Sequence, residues 1–336
     1  MSRYRPSPPE PERIPVVFGQ LQGLFIRVAC THPEIRTFVE EFLGSMVGLD
    51  GHAPSDPLEF SLDLLDGEPD RSMSSGSRAL LQYRNVSCYY EGSWLFFTTK
   101  DGSFMKADVR AGRAWGCLSE ELLGVSRYIF SDLLLAPLME MLKHRGLYGL
   151  HAACLTKKGG GYLFPGAAGS GKTTIGLSLV KQGFQYLADD KVLLRDEGNG
   201  IAALAFTRRF NINPDIGRHY TELSFLEDLQ PLPKSVKRSL DISRVYPNTF
   251  VLCCSPKVVV HIERTSDFKS RVLRLSSTES FTRLVHQTIL SFQKETAMRQ
   301  LKLLGELVQN TESYLLYNGG DLYGAPERLL QLLPRC

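Results

Sequence analysis

Apolar and polar positions divide the chain into a β-rich first part and a later part in which strands and helices alternate. An apolar-rich stretch over 16–28 predicts a strand, and apolar residues at helical spacing over 33–46 predict a helix. Five further short apolar segments follow, at 58–65, 80–90, 94–100, 103–109 and 112–118. Turn dipeptides separate the last four, at Glu91-Gly92, Asp101-Gly102 and Ala111-Gly112. We therefore expect a mainly antiparallel sheet with one helix in the first part.

The later part opens with a predicted helix over 126–144, which has apolar residues on one side and is expected to start or kink near Pro137. Beyond Gly146 the pattern is strand, glycine-rich turn, helix and strand, and 277–308 has helical spacing again. The proline-rich opening is typical of a flexible tail. We expect an α/β fold, α+β overall, in four parts: a tail at 1–15, a β-rich domain at 16–125, a connecting helix at 126–146 and a second domain at 147–336.

Composition is that of a folded protein. The 336 residues are 43% hydrophobic and 22% charged, and the net charge of +3 comes from dispersed basic residues, which does not indicate nucleic-acid binding. Seven cysteines without a C-x-x-C spacing indicate reduced thiols and neither a disulfide framework nor a zinc knuckle. No apolar run approaches the roughly 18 residues of a membrane span, and the opening segment has no secretory apolar stretch. We expect a cytoplasmic protein without nucleic-acid or membrane partners.

A phosphate loop at 166–173 is the clearest motif. It follows an apolar segment, reads GAAGSGKT, matches G-x-x-x-x-G-K-[ST] in full, and precedes a stretch of helical spacing. Its glycines let consecutive amides point inward, and the following helix presents unpaired N–H groups to phosphate. Lys172 is expected to neutralise the outer phosphates and Thr173 to offer its hydroxyl to Mg²⁺. The expected nucleotide-binding set is Gly166, Ala168, Gly169, Ser170, Gly171, Lys172, Thr173 and Thr174. A glycine-rich turn with an incidental lysine is the alternative.

Two adjacent acids follow this helix. Gly183 is expected to end the helix, and a short apolar strand at 184–188 leads to Asp189 and Asp190. The carboxyl end of a strand is the edge at which open α/β sheets bind ligands. Phosphoryl transfer to a hydroxyl needs a metal and a base, and two adjacent carboxylates can divide these tasks. A solvated Asp-Asp turn is the alternative.

These segments together resemble a known family. His151-Ala152-Ala153, the loop GAAGSGKTT, Gly183 and the LADD of 187–190 are similar to the catalytic domain of HPr kinase/phosphorylase. That domain shares its nucleotide-binding core with ATP-dependent phosphoenolpyruvate carboxykinase. The resemblance is specific over 151–190, and it implies that 147–336 is an HPr kinase/carboxykinase-like P-loop domain. It also implies ATP and Mg²⁺ as cofactors and favours a homo-oligomer.

The same resemblance implies roles for single residues. Asp189 would be the base that acts on the substrate hydroxyl, and His151 would lie beside it near the transferred phosphate. Asp190 would lie next to the Mg²⁺ that Thr173 helps to hold, and Lys172 would stabilise the transferred group. Taken alone, His151 is equally well explained as a buried structural histidine.

Basic residues further along the chain are candidates for substrate contacts. Arg208 and Arg209 follow a predicted strand, and a proline-bounded loop carries Lys234, Lys237 and Arg238. Such a loop could close over phosphate groups. A solvated basic loop is the alternative.

The segment after the acidic pair limits what the resemblance implies. It reads ALAFTRRFNINPDIGRHY and lacks the glycine-rich signature of the bifunctional HPr enzymes, so neither phosphorylase activity nor HPr as substrate is implied. The chain is similar instead to divergent HPr kinase-related proteins, some of which phosphorylate free serine or a serine in a maturing peptide. The predicted function is an ATP-dependent kinase acting on a serine-type hydroxyl of a small molecule, peptide or protein. A nucleotide-binding regulatory or scaffold protein without turnover and a carboxykinase-like enzyme are the alternatives.

Overall fold

The computed structural model describes residues 15–47, 56–65, 81–83, 86–91, 94–125, 127–232, 235–324 and 327–333. The fold is mixed α/β, and the chain divides into two compact units. Unit 1 comprises Met1–Gly19, Phe25–Leu43 and Ser55–Leu134, and unit 2 comprises Gln20–Leu24, Gly44–Pro54 and Leu135–Cys336. Two short segments from the first part of the chain therefore belong to unit 2, which the sequence did not indicate. Of the predicted tail, only Pro15 is described.

Unit 1 is built around one sheet. Its elements are β1 (Val16–Leu21), β2 (Leu24–Cys30), α1 (Pro33–Gly44), β3 (Leu58–Leu64), β4 (Leu81–Tyr83), β5 (Val86–Glu91), β6 (Trp94–Thr98), β7 (Phe104–Asp108), β8 (Arg113–Leu118), α2 (Glu120–Val125) and the first part of α3 (Arg127–His144). The strand order is β1-β2-β3-β8-β7-β6-β5-β4. The predicted helix at 33–46 and the antiparallel meander of β5 to β8 are confirmed.

Three features of this sheet differ from the sequence-based expectation. The segment 80–90, predicted as one strand, forms the two antiparallel strands β4 and β5. β3 pairs in parallel with both β2 and β8, so the sheet is mixed at this end. The single strand predicted over 16–28 is wrong, because Gln22 and Gly23, with φ of 51° and 83°, form a hairpin turn between β1 and β2. Gln-Gly is not among the usual dipeptides of such a turn, so the turn could not be predicted from its residues.

Unit 2 contains the rest of α3 and the elements that follow it. These are β9 (Tyr148–Leu150), β10 (Ala152–Lys157), β11 (Gly160–Pro165), α4 (Lys172–Lys181), β12 (Gln185–Ala188), β13 (Val192–Asp196), β14 (Ile201–Ala205), β15 (Arg209–Ile212), β16 (Arg238–Asp241), β17 (Cys253–Arg264), β18 (Arg271–Arg274), α5 (Ser277–Val285), α6 (Lys294–Gln309), β19 (Glu312–Asn318), α7 (Asp321–Gly324) and α8 (Arg328–Leu332), with 3-10 helices at Pro214–Arg218, Thr221–Asp228 and Ile242–Arg244. Because α3 runs through Pro137, a helix start there is wrong, and the helical stretch predicted at 277–308 forms two helices.

The large sheet of unit 2 brings four strand ends to one edge. Its order is β12-β10-β11-β17-β14-β13-β9, and β19 pairs with β17 and β18. β11, β17 and β19 are parallel to one another, whereas β10 is antiparallel to both β11 and β12. β12 therefore runs in the same direction as β11. The segments that follow β11, β12, β17 and β19 all leave the sheet at the same edge.

Apolar side chains cover both faces of this sheet. On β10, Ala153 and Leu155 pack with residues of α4 and the 3-10 segments, whereas Ala152 and Cys154 pack with α5 and α6. This alternation follows from the two-residue period of a strand, and it fixes the register that positions the edge. None of the helices in the described ranges combines the length and apolar composition that a membrane crossing requires.

Candidate active site

The phosphate loop connects β11 to α4, and its glycines are sterically required. Gly169 and Gly171 have φ of 81° and 106°, the left-handed region that favours glycine. A Cβ on Gly171 would lie 2.3 Å from Nδ2 of Asn318, and one on Gly166 would lie 2.6 Å from Oγ of Ser170. Asn318 also donates a hydrogen bond from Nδ2 to the Ser170 carbonyl at 2.9 Å, so the end of β19 holds the loop in place.

Lys172 is buried at the first position of α4. Its Nζ donates to the carbonyl oxygens of Gly166 at 2.7 Å and Ala167 at 3.1 Å. The same atom lies 2.8 Å from Nε2 of His151 and 3.6 Å from Oδ1 of Asp190. Burial lowers the pKa of Lys172, while the charges of Asp190 and Asp189 oppose this shift. Lys172 is thus a cation held between the phosphate loop and the acidic pair.

His151 lies between β9 and β10, and its backbone N–H donates to the Gln287 carbonyl at 2.8 Å. Its Nε2 is 3.5 Å from Oδ1 of Asp190 as well as close to Lys172. Burial lowers the pKa of His151, Asp190 opposes the shift, and nearby lysines add to it. A neutral imidazole therefore faces the Lys172 ammonium, because a second cation at 2.8 Å would be repelled.

Asp189 and Asp190 follow β12 and differ sharply in burial. Asp189 is only 4% exposed, whereas half of the Asp190 side chain is exposed. Oδ2 of Asp189 accepts a hydrogen bond from the Asn211 backbone N–H at 3.0 Å. Its other carboxylate oxygen, Oδ1, accepts no hydrogen bond of normal geometry from the residues that the structure describes.

Burial raises the pKa of Asp189 to about 6. The Asn211 N–H and the Thr173 hydroxyl oppose this shift, and the neighbouring charge of Asp190 adds to it. A carboxyl group is suited to accept a proton when its pKa is near neutrality and one oxygen accepts no hydrogen bond of normal geometry from the described residues.

Oxygen donors for a magnesium ion are present, but only as a partial set. Nowhere in the described chain do three or more His, Cys, Asp or Glu side chains form a group that could hold a metal ion. Mg²⁺ bound to phosphates needs only one or two protein oxygens and keeps several waters. The Thr173 hydroxyl and the exposed Asp190 carboxylate can supply them, and Oδ1 of Asp189 is a further oxygen without a partner in the described residues. The residues fit a phosphate-bound Mg²⁺.

The predicted basic residues lie before β15, on β15, and on or just before β16. The Arg208 guanidinium lies 5.0 Å from the centre of the Phe250 ring, and Arg209 is exposed on β15. Arg238 begins β16 and donates from Nη1 to the Val236 carbonyl at 2.5 Å. The charge of Lys237 makes a small contribution that lowers the pKa of three groups, His151, Lys172 and Asp189, after the larger effects of burial. Lys234 lies outside the described residues.

Two residues of the site were missed by the sequence-based analysis. Asn211 and Asn318 hydrogen-bond to the acidic pair and the phosphate loop, yet they are 22 and 148 positions away from their partners. Asn211 lies in the segment that follows the acidic pair and has no recognised motif. Asn318 ends an ordinary apolar strand, and only its position at the same sheet edge could have indicated it.

Two cavities open on the other side of the phosphate loop, toward β17 and β19. One measures about 360 Å³ and is lined by Gly169, Ser170, residues 264–268 and residues 318–320. The second measures about 520 Å³ and is lined by residues 167–170 and 262–264. Both are separated from His151 and the acidic pair by the loop itself, because β10 and β12 lie on one side of β11 and β17 and β19 on the other.

Comparisons with known proteins give little further support. No model of a known protein family matches the sequence, and no curated protein matches it. Among solved structures, the chain is similar to the Hpr(Ser) kinase/phosphatase from Coxiella burnetii, with 13% identity over 55% of this chain and 93% of that chain. The TM-score is 0.30, so this similarity carries no argument about the function of the chain.

Proposed function

We propose that the chain is an ATP-dependent kinase that uses Mg²⁺ and transfers the γ-phosphoryl group to a hydroxyl of a small molecule, peptide or protein. The observation that carries the proposal is the meeting of a phosphate loop, a buried lysine and an acidic pair at one sheet edge. Within that group, Asp189 combines a pKa of about 6 with an oxygen that has no partner in the described residues. A structural carboxylate would be expected to use both oxygens.

The phosphate loop and α4 would bind the phosphates. The amides of the first turn of α4 have no carbonyl partner within the helix, and they point at the loop together with the positive end of the helix dipole. Lys172 would hold the transferred group, and His151 would keep the Lys172 ammonium oriented through the 2.8 Å contact. Thr173 and Asp190 would hold Mg²⁺, which offsets the charge of the phosphate oxygens when it is bound.

Asp189 would act on the acceptor hydroxyl. Oδ1 of Asp189 takes the hydroxyl proton while the hydroxyl oxygen bonds to the γ-phosphorus and the bond from phosphorus to the bridging oxygen breaks, which leaves ADP. The Asn211 N–H holds Oδ2 and so directs Oδ1 toward the acceptor. Asp190 and Lys237 are the exposed charges that act on this region, and they would influence which acceptor enters.

Label transfer from γ-labelled ATP tests the proposal. Wild-type protein with Mg²⁺ is incubated with serine, serine-containing peptides and other hydroxyl acceptors, beside the Asp189→Asn variant. We expect transfer by the wild type and a loss of about 100-fold or more in the variant, with ATP affinity retained. Equal transfer by the variant would remove Asp189 as the base. ATP binding without transfer to any hydroxyl would favour the regulatory alternative.

Lys172→Ala tests the phosphate loop separately. The variant removes the cation that faces the phosphates, so ATP affinity should fall by at least about 10-fold. The exposed Lys302→Ala on α6, whose ion pair with Glu306 lies on the surface, is the matched control and should leave affinity unchanged. Unaltered affinity in Lys172→Ala would contradict the assignment of the phosphate loop.

A further inference from the structure

We propose that the nucleoside of the donor nucleotide binds in the 360 Å³ cavity between the loops that follow β17 and β19, with the Phe268 ring as the stacking surface for the base. This inference rests on the proposed function. We call this space the nucleoside cavity; it is lined by Gly169, Ser170, residues 264–268 and residues 318–320.

The direction of the polyphosphate argues for this side of the phosphate loop. The proposed base and His151 lie on the β10 and β12 side of β11, so the transferred end of the nucleotide must be there. The remainder of a linear triphosphate has to leave the loop on the opposite side. Gly169 and Ser170 line both cavities on that side, and the nucleoside cavity is the one that also has an aromatic residue.

The two loops that form the nucleoside cavity are fixed by buried hydrogen bonds. Asp321 accepts from the backbone N–H of Ser270 at 3.0 Å and from its hydroxyl at 2.6 Å, and its own N–H donates to the Phe268 carbonyl at 2.9 Å. The Gly319 N–H donates to Oγ of Ser270 at 2.9 Å. A Cβ on Gly319 would lie 2.7 Å from the Phe268 carbonyl, so the loops pack too closely for another residue. A cavity held in this way is formed before a ligand arrives.

The lining has the chemistry of a nucleoside site. Phe268 is 72% exposed, although burial of a phenylalanine is favourable, and its ring lies over Gly320, where a Cβ would meet it at 3.4 Å. An aromatic ring that is exposed and backed by a fixed loop provides a stacking surface for a planar base. Arg264 is exposed and lines both cavities, so its guanidinium is placed for the phosphate nearest the ribose. The cavity volume lies within the range of roughly 300–1,000 Å³ that is usual for small-molecule sites.

Binding of two ligands by the full chain separates this inference from the phosphate-loop assignment. The affinity for ATP and for inorganic tripolyphosphate, both with Mg²⁺, is measured by calorimetry for wild type, Phe268→Ala and Phe268→Trp. We expect Phe268→Ala to weaken ATP binding by about 10-fold, Phe268→Trp to retain it, and both to leave tripolyphosphate affinity unchanged. Phe18→Ala is the matched control, because Phe18 is 67% exposed and lies on β1, outside the cavity.

Three results would overturn the inference. Unchanged ATP affinity in Phe268→Ala would show that the base does not stack there, and the same would follow if wild-type protein bound tripolyphosphate as tightly as ATP. An equal loss of both ligands would show that Phe268 acts only through the loop. In each case the kinase proposal would stand, because label transfer with Asp189→Asn tests it and the ATP affinity of Lys172→Ala tests the phosphate loop.

Discussion

Asp189 has a buried carboxyl group that is unfavourable for the folded state at neutral pH. Its pKa is raised from 3.8 to about 6, with burial as the main cause. Between these two values the folded protein binds a proton that the unfolded chain has released, so stability falls as the pH rises through this window. Buried carboxyl groups with raised pKa values are often found at functional sites, where activity requires them although they lower stability. The burial of Asp189 therefore favours a functional role.

A stability measurement can detect this cost without any substrate. Asp189→Asn keeps an oxygen acceptor for the Asn211 N–H but carries no charge, so its free energy of unfolding at pH 7 should exceed that of wild type by up to about 3 kcal/mol. The difference should vanish below about pH 3, where the wild-type carboxyl is protonated in both states. Denaturant unfolding at pH 3 and pH 7 measures both values. A variant that is less stable than wild type at pH 7 would contradict the burial argument.

The pH dependence of transfer gives a second prediction at the residue scale. If Asp189 is the base, kcat/KM should fall about 10-fold per pH unit below about pH 6, because only the ionised carboxylate accepts a proton. Asp190→Asn removes a charge that raises the pKa of Asp189. In this variant the fall of kcat/KM on the acidic side of the pH profile should therefore occur at lower pH than in wild type. An acidic limb near the ordinary aspartate value in wild type would exclude Asp189 as the titrating group.

The sequence identifies some of the site residues but not all of them, for a physical reason. Lys172 and Asp189 belong to local patterns in which a strand, a turn and a helix follow one another within a few residues. Asn211 and Asn318 have roles only because distant strands end at the same sheet edge. The cost of a Cβ on Gly171 likewise depends on Asn318, which lies 2.3 Å from that Cβ position.

At the scale of elements, α4 has a glycine at each end with a different function. Gly171 precedes the helix with φ of 106° and faces Asn318, whereas Gly183 follows it with φ of 82° and has nothing within 4 Å of a built Cβ. Gly171→Ala should therefore lower nucleotide affinity by at least about 10-fold, because both the backbone and the loop must shift. Gly183→Ala should cost about 1 kcal/mol of stability and leave affinity unchanged.

A double-mutant cycle of Gly171→Ala and Asn318→Ala measures how strongly Asn318 restricts the phosphate loop. Asn318→Ala removes the amide that meets the Gly171 Cβ, so the double variant should bind nucleotide better than the sum of the two single losses predicts. Calorimetry on the four proteins of this cycle measures the coupling. Additive losses would mean that Asn318 does not restrict the loop.

Helices and strands are predicted best where the spacing of apolar residues and the positions of turn residues indicate the same element. The meander of β5 to β8 and the strands that flank α4 follow such patterns. β1 and β2 do not, because their turn begins with Gln22 in a left-handed conformation that glutamine rarely adopts. Parallel pairing of β3 with β2 and β8 is also absent from local patterns, since it joins segments that are far apart in the chain.

At the scale of the whole molecule, unit 2 includes two segments that precede most of unit 1 in the chain. Val47 is 2% exposed and packs in the core that contains β13, β14, α5 and α6. Its N–H donates to the Phe206 carbonyl at 3.3 Å, and its carbonyl accepts from the N–H of Gln22 at 3.4 Å. Gln22 donates from Nε2 to the Ala205 carbonyl at 2.6 Å. A fragment that starts at residue 147, as the sequence-based boundary suggests, would lack all of these contacts.

Val47→Ala in the full chain tests this organisation. Removal of two buried methyl groups should lower the stability of unit 2 by about 2 kcal/mol, because a cavity remains in the core beside β14. Val236→Ala, at a position that is 67% exposed, is the matched control and should change little. Hydrogen exchange resolved along the chain measures the effect, and we expect faster exchange in β13 and β14 with unchanged exchange in β6 and β7. If Val47→Ala instead accelerated exchange in β6 and β7 alone, residues 44–47 would belong to unit 1, and the fragment that starts at residue 147 should retain full nucleotide affinity.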